Sequence, residues 1–480
     1  MKKRISFLLV FLMSYGIFAQ ENSWFYATMH PENAQILKTN NPDGIQILET
    51  NGNQSAVYVS EEVAHQLHGN FIIHGPGFVY KKSKEEALAF IHQEFNRAHN
   101  VMDFTITEDA FVLECLDLVD PENIEETILM LEDFGTRYHL RDEAIQSIYA
   151  IQAKWQALAD AANRTDISFE IVEHVGTPMP SLIMTIEGAE QADEYVIIGG
   201  HADSITPFAD DAPGADDNAS GIATITEVLR VLLDQGYKPQ RTVQFMAYAA
   251  EEVGLVGSDE IAQTYFDEGI NVVAYVQFDM TNYKGSTADI AIIQDSYTSG
   301  DLNIFLIELL EHYNNNGSHA ISYTDSQCNY GCSDHASWKS RGYLASFPFE
   351  AKFGEHNPQI HTPGDLYSLS GNSNHAAKFT KLGLEFIIEV AKRSSLSTFE
   401  IFKSELNLVV NNKELIYEIK NSDSRVHTLE IIDTSARRVL SQSNLGNSGK
   451  VNIGSLASGV YVAAFKDGQG QSIVKKFLVK

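Results

Sequence analysis

The chain has 480 residues, 44% of them apolar, with 34 basic and 64 acidic side chains for a formal charge of -30. That length exceeds one compact core and sets a prior of about three domains, and the apolar fraction is that of a globular protein. A surface this acidic repels nucleic acid and anionic membranes, which argues against both as partners.

Lys2, Lys3 and Arg4 precede an almost wholly apolar run from Ile5 to Phe18, and Ala19 offers a small residue for cleavage. The run is shorter than the ~20 residues of a membrane-spanning helix, so residues 1–19 read as a secretory signal peptide. No later stretch is apolar enough to span a bilayer, so a secreted product with no membrane span is expected. Residues 20–116 read as a small α+β segment with strands at Ala56–Val59 and Phe71–Ile73. A helix is predicted from Ser83 to Ala98, where Ser83 and Glu86 have capping-box spacing. Its histidines (His30, His65, His68, His74, His92 and His99) are scattered without clustered carboxylates and read as surface or core residues rather than ligands. Its place between a signal and the largest block makes it a propeptide by position.

Residues 117–396 form that block. Pro121 to Phe134 has helical spacing with Pro121 in the first turn, and a second helix is predicted over Ala144–Ala161. Strands and helices then alternate: strand 195–198, helix 222–233, strands 242–248 and 272–278, helix 302–313, strand 343–349 and helix 376–391. Several strands are continuous apolar runs, as expected where helices cover both faces of a sheet. The pattern predicts an α/β domain with a doubly wound, mostly parallel sheet flanked by helices, in which ligand sites lie beyond the carboxyl ends of strands.

Residues 397–480 carry 11 Lys and Arg against 8 Asp and Glu, opposite in sign to the rest, and lack Cys and Pro. Short strand-like runs at 406–410, 415–419, 428–432 and 460–465, separated by Asn, Ser and Gly turns, predict a small β-sandwich.

Chemistry concentrates in the middle block. His201, Asp203, Asp217, Glu251, Glu252, Asp279 and His361 combine imidazole and carboxylate donors, most of them just after apolar runs. That mixture suits zinc and similar divalent ions. Five ligands with one shared carboxylate can hold two ions, a device for activating water against an acyl or phosphoryl centre, so a hydrolase is expected. Asp203, two residues after His201 on an extended chain, is placed to orient the imidazole. Asp217 lies in a Gly-flanked turn ahead of Ser220, which reads as the N-cap of the next helix, and can bridge two ions. Glu251 and Glu252 cannot point the same way on a strand, so one can bind metal while the other faces water as a base. Cys328 and Cys332 can close a small disulfide ring in an exported chain, free thiols being the alternative. Cys115 then stands outside the ring, which suggests that it lies in a segment the mature protein loses.

Taken together, Gly199-Gly200-His201-Ala202-Asp203-Ser204, the 212–221 loop, Ala247–Leu255, Asp279–Gly285, Cys328–Cys332 with Ser333-Asp334-His335, and Ile360-His361-Thr362 resemble the secreted bacterial leucyl aminopeptidases. These are two-zinc exopeptidases, and the likeness spans roughly residues 120–395. It implies that His201 and Asp279 hold one zinc, Glu252 and His361 the other, and that Asp217 bridges them. Glu251 would be general base and acid, and Tyr330 would hydrogen-bond the tetrahedral oxyanion. Met280, Ile293, Phe349, Phe353 and Ile360, with Phe347 nearby, would form an apolar pocket for a first residue such as Leu; for Ile293, core packing is an equal reading. His356 stands where the family has an aromatic residue. Substrates would be peptides with a free N-terminus. Gly446–Lys480, with Gly459-Val-Tyr461 and a basic end, resembles the sorting domain of type IX secretion cargo, the alternative being an adhesion or carbohydrate-binding sandwich. The other readings of the central block are a single-zinc glutaminyl cyclase or a carboxypeptidase of the same fold, or an inactive binding scaffold; metal count separates the cyclase, and no arginine matches a carboxypeptidase's need.

Overall fold

The computed structural model describes residues 23–68, 74–93, 104–207, 209–394, 405–411, 413–420, 426–433, 437–467 and 472–479. The expected signal peptide, the strand at 71–73 and the far end of the helix expected to reach Ala98 lie outside them. Two compact units divide the chain: residues 1–185, 194–235 and 243–390, and residues 186–193, 236–242 and 391–480. No helix among the described residues is long and apolar enough to cross a membrane.

The larger unit begins with β1 (Trp24–Met29), α1 (Pro31–Asn40), β2 (Ile45–Asn51), β3 (Gln54–Ser60), α2 (Glu61–Ala64), β4 (Val79–Lys81) and α3 (Lys84–His92). The strands form one antiparallel sheet in the order β2-β3-β1-β4, with Ala27, Val57, Val59, Leu37 and Phe78 in its core. At the start of α3, Ser83 Oγ accepts from the Glu86 N–H at 3.1 Å, and the Glu86 carboxylate accepts from the Lys82 N–H at 3.1 Å. The expected box forms, with its return arm one residue further back. Of the scattered histidines, His30 caps α1 and His92 pairs with Glu49 at 2.7 Å.

After α4 (Asp109–Leu116) come α5 (Pro121–Glu132), α6 (Asp142–Ala161), β5 (Ile167–Val172), β6 (Ser181–Ile186), β7 (Gln191–His201), α7 (Gly221–Asp234), β8 (Arg241–Tyr248), α8 (Val256–Asp267) and β9 (Asn271–Gln277). They are followed by β10 (Ile290–Ile293), α9 (Gly300–Tyr313), β11 (Tyr323–Ser326), α10 (His335–Ser340), β12 (Ala345–Ser346), β13 (Pro348–Phe349) and α11 (Ala376–Ala391). Asp120 caps α5 by accepting from the Glu122 N–H at 3.0 Å, ahead of Pro121 in the first turn. A six-stranded sheet runs β12-β9-β7-β8-β6-β5, with β7–β9 and β9–β12 parallel. It is a mixed α/β layer with helices, and its central runs, Val196–Ile198 and Val243–Tyr248, are buried apart from no more than 5% exposure at Gln244.

The strand expected over 343–349 is two short ones. Ala345–Ser346 pairs with β9, and Pro348–Phe349 pairs antiparallel with β10 in a separate sheet, β11-β10-β13. Pro348 has no N–H to continue a ladder, so the chain changes sheets there.

The second unit holds β14 (Glu405–Asn411), β15 (Glu414–Lys420), β16 (Val426–Asp433), β17 (Arg438–Ser443), β18 (Ser448–Asn452), β19 (Gly459–Asp467) and β20 (Ser472–Val479). Two antiparallel sheets, β14-β15-β18 and β17-β16-β19-β20, share a core of Leu415, Tyr417, Leu429, Ile431 and Phe465. This is the small β-sandwich that the alternating runs predict.

Candidate active site

The adjacent strands β9, β7 and β8 end at one place, and their carboxyl ends carry the site. His201 closes β7, Asp279 follows β9 by two residues, and Glu251 and Glu252 sit in the turn after β8. That turn replaces the strand geometry expected for the two glutamates. Asp203 holds it: its carboxylate accepts from the backbone N–H of Glu251 at 3.0 Å and of Glu252 at 3.3 Å, besides lying 3.4 Å from His201 Nδ1. Asp203 therefore positions three neighbours, where the sequence suggested one.

Asp217 comes from the turn before α7, through a cis peptide bond to Asn218. Ser220 does not cap α7; its hydroxyl donates to the Asp216 carbonyl and accepts from the Thr281 N–H. Asn218 takes the capping role, its Oδ1 accepting from the Gly221 N–H at 2.8 Å. Asp365 accepts from the N–H groups of Asp216 and Asp217 at 3.2 and 3.0 Å. Buried Arg137 ties the same region together, donating to the carbonyls of Ala202, Pro213 and Gly214; burial lowers its pKa to about 10.

The two carboxylate oxygens of Asp217 face two histidines. Oδ1 lies 3.1 Å from His201 Nε2, which is 3.3 Å from Asp279 Oδ1. Oδ2 lies 3.2 Å from His361 Nε2, which is 3.0 Å from Glu252 Oε2. Zinc–nitrogen and zinc–oxygen bonds of about 2.0–2.1 Å in tetrahedral array put ligand atoms about 3.3 Å apart, so these separations fit zinc. Asp203, Asp217, Glu251, Glu252, Asp279 and Asp334 are all buried within 2% exposure. Among the described residues, none of the six pairs with Lys or Arg. Among the described residues, no group donates a hydrogen bond of good geometry to either oxygen of Asp217 or Glu252 or to Asp279 Oδ1, whose near neighbours are the Nε2 atoms of His201 and His361. Buried carboxylates in that state call for cations, and donors of this kind suit divalent metal.

The protonation tendencies agree. Burial pushes the Glu251 carboxyl well up, with Glu252 and Asp334 adding to it against the pull of His201. Burial also raises Glu252, to about 7, with His361 partly offsetting it. For His201, burial alone would lower the pKa, but Asp279, Asp203 and Asp217 outweigh it and raise the ring well above its ordinary value.

Met280, Ile293, Phe347, Phe349 and Ile360 are buried in one cluster with Cys328 and Cys332, and Tyr330 and Phe353 pack against it. His356 lies 5.6 Å from the Phe349 ring and 5.4 Å from that of Phe353. Cys328 and Cys332 are joined as a disulfide, so their sulfurs, though near His335, are not thiolate ligands.

One residue placed here was read from sequence as lacking clustered carboxylates. His74 is buried, 1% exposed, and stands among them, with Nε2 3.2 Å from Asp279 Oδ2 and 4.0 Å from Asp217 Oδ1. Its only local signal is the turn-forming Gly75-Pro76-Gly77 that follows. Asp365 and Ser333, whose hydroxyl donates to Asp279 Oδ2 at 2.5 Å, likewise carried no readable role.

A mixed α/β sheet with paired histidine–carboxylate clusters at its strand ends is the arrangement of a metal-dependent hydrolase. Residues 181–384 match the model of peptidase family M28. A probable aminopeptidase of Saccharomyces cerevisiae is 33% identical over 304 residues, 60% of this chain and 78% of that protein. A probable leucine aminopeptidase of Trichophyton verrucosum is 35% identical over 295 residues, with the same coverage. The LapA aminopeptidase of Legionella pneumophila superposes with a TM-score of 0.68 at 29% identity, over 78% of this chain and all of that one. The chain belongs to peptidase family M28. Residues 408–480 match a secretion system C-terminal sorting domain, which makes this a secreted protein.

Proposed function

We propose that this zinc-dependent aminopeptidase removes the first residue from peptides with a free N-terminus, with a preference for large hydrophobic residues such as Leu, and uses two zinc ions. His201 and Asp279 would hold one ion, Glu252 and His361 the other, and Asp217 both. The observation that carries the reading is Asp217, whose two oxygens divide between two histidine–carboxylate clusters at 3.1 and 3.2 Å. Zinc in such sites polarises a carbonyl and lowers the pKa of water towards ~7.

The chain's own groups supply the rest. Glu251 is buried, and its Oε1 has no hydrogen-bond donor among the described residues, so it is available to take a proton from water and return it to the leaving amine. Asp203 fixes that carboxylate's backbone. Tyr330 would donate to the carbonyl oxygen as it gains charge. The Met280–Phe349–Ile360 cluster would receive the side chain. Hydrolysis of leucine p-nitroanilide by the processed protein, abolished by N-acetylation of the substrate, together with about two zinc per chain, tests the reading. One zinc per chain would overturn the two-ion assignment.

The segment after the signal would be a propeptide removed on activation, and the 397–480 region an address for the type IX secretion machinery. The sequence suggested a propeptide reaching residue 116. The packing favours an end upstream of Phe104. Phe104 stacks on Phe305 at 4.9 Å, the N–H groups of Thr107 and Glu108 each donate to the Glu389 carboxylate at 2.8 Å, and Cys115 is wholly buried. Removing α4 would expose that surface of α9 and α11.

A further inference from the structure

We propose that in the unprocessed chain His74 is itself a metal ligand and closes the site by filling the position that substrate would take; this rests on the zinc aminopeptidase reading above. His74, His201, Asp217 and Asp279 offer four donor atoms within 4.8 Å of one another. Three protein ligands leave a zinc open for catalysis, whereas four make the closed arrangement of a structural site. His361, Glu252 and Asp217 remain a set of three.

The rest of the segment imitates a substrate. The His74 carbonyl accepts from the Tyr330 hydroxyl, the group assigned above to the substrate's carbonyl oxygen. The imidazole lies 5.3 Å from the Phe349 ring and 6.2 Å from that of Phe347, at the apolar pocket. Gly75 has φ +73°, and a Cβ there would stand 2.3 Å from the Cys332 carbonyl oxygen, so only glycine lets the backbone lie this close.

Further along, the segment is clamped. The Tyr80 N–H donates to the Gly254 carbonyl at 2.9 Å. Lys81 is buried and pairs with Asp259 at 2.7 Å, and Arg341 pairs with the same carboxylate at 2.8 Å. While the chain is continuous, His74 is an intramolecular ligand at a high effective concentration. Cutting the connection to the peptidase turns it into a dissociable one, which water and substrate can displace.

The test uses the intact chain, loaded with Co2+ or Zn2+, as wild type, His74→Ala and Gly75→Ala. Gly75→Ala dislodges the segment without removing the imidazole. Both variants are expected to change the visible bands of the cobalt form, and zinc-edge absorption should report one histidine fewer. Hydrolysis of leucine p-nitroanilide by the uncut variants should rise by at least about tenfold over uncut wild type, as the closed state is depopulated. Wild-type spectra in both variants, with the fold retained by circular dichroism, would overturn the proposal. If the processed wild type does not hydrolyse the substrate, the aminopeptidase reading falls, yet the spectra still decide whether His74 binds the metal.

Discussion

The two candidate metal-binding clusters share Asp217 but differ in what surrounds them. Among the described residues, the His201 cluster carries Asp279 and, from a distant part of the chain, His74, and the His361 cluster carries Glu252. Both are equally buried, so access to solvent does not distinguish them. The number of donors does: four described donors surround the first position and three the second, so with His74 as a ligand the first would be closed and the second would keep a place open. A single bridging residue can thus belong to a closed site and an open one at once, and latency can be imposed on half of a centre without distorting the other.

Substitutions at the shared chemistry should have the largest effect. Glu251→Ala is expected to retain metal and lose at least about 10³-fold in turnover, because one group serves as base and then acid. Unchanged turnover at full metal content would remove Glu251 from the mechanism. The comparison itself is sharpened by chelation. In the uncut chain, the ion at His361, Glu252 and Asp217 should leave at least about tenfold faster than the ion at the four-donor site, and in His74→Ala that gap should narrow. Equal release rates in uncut wild type would break the distinction between the halves.

A smaller effect is expected at the clamp. Lys81→Met leaves Asp259 paired with Arg341, so the fold survives, and uncut activity should rise only about two- to fivefold. A rise as large as that of His74→Ala would mean that the clamp, not the ligand, sets latency. The smallest effect belongs to the tail. Deleting residues 397–480 touches no ligand and should leave turnover within about twofold, while the truncated protein stays in the periplasm. Its normal appearance in the medium would favour the adhesion or carbohydrate-binding reading of the sandwich.

Much of this was legible in the sequence because the informative residues lie close to strand ends. Continuous apolar runs located β7, β8 and β9, and the polar residues just beyond them are the ones gathered at the site. The capping box at Ser83 and the tail's alternating runs were readable for the same reason, being local. What escaped depended on contacts between distant segments. His74 acquires its meaning from Asp279 and Asp217, and nothing beside it in the chain supplies a carboxylate. Ser220 has the residue type of a cap, but its hydroxyl is drawn to Asp216 and Thr281, and Asn218 takes its place. Pro348 splits an apolar run between two sheets, a choice fixed by the partners available on either side. The short strands β10 and β11, the edge strand β5 and the helix α8, which opens on Val256-Gly257-Ser258, had too weak a period to stand out.

Cys115 lies outside the disulfide, wholly buried in α4. A thiol in that position is a built-in clock. Reagents reach it only when α4 lifts from its neighbours, so the rate of alkylation times that local opening without any added label. It is also a tally of processing: a secreted enzyme that keeps α4 yields one titratable thiol on denaturation, and one cut after Cys115 yields none.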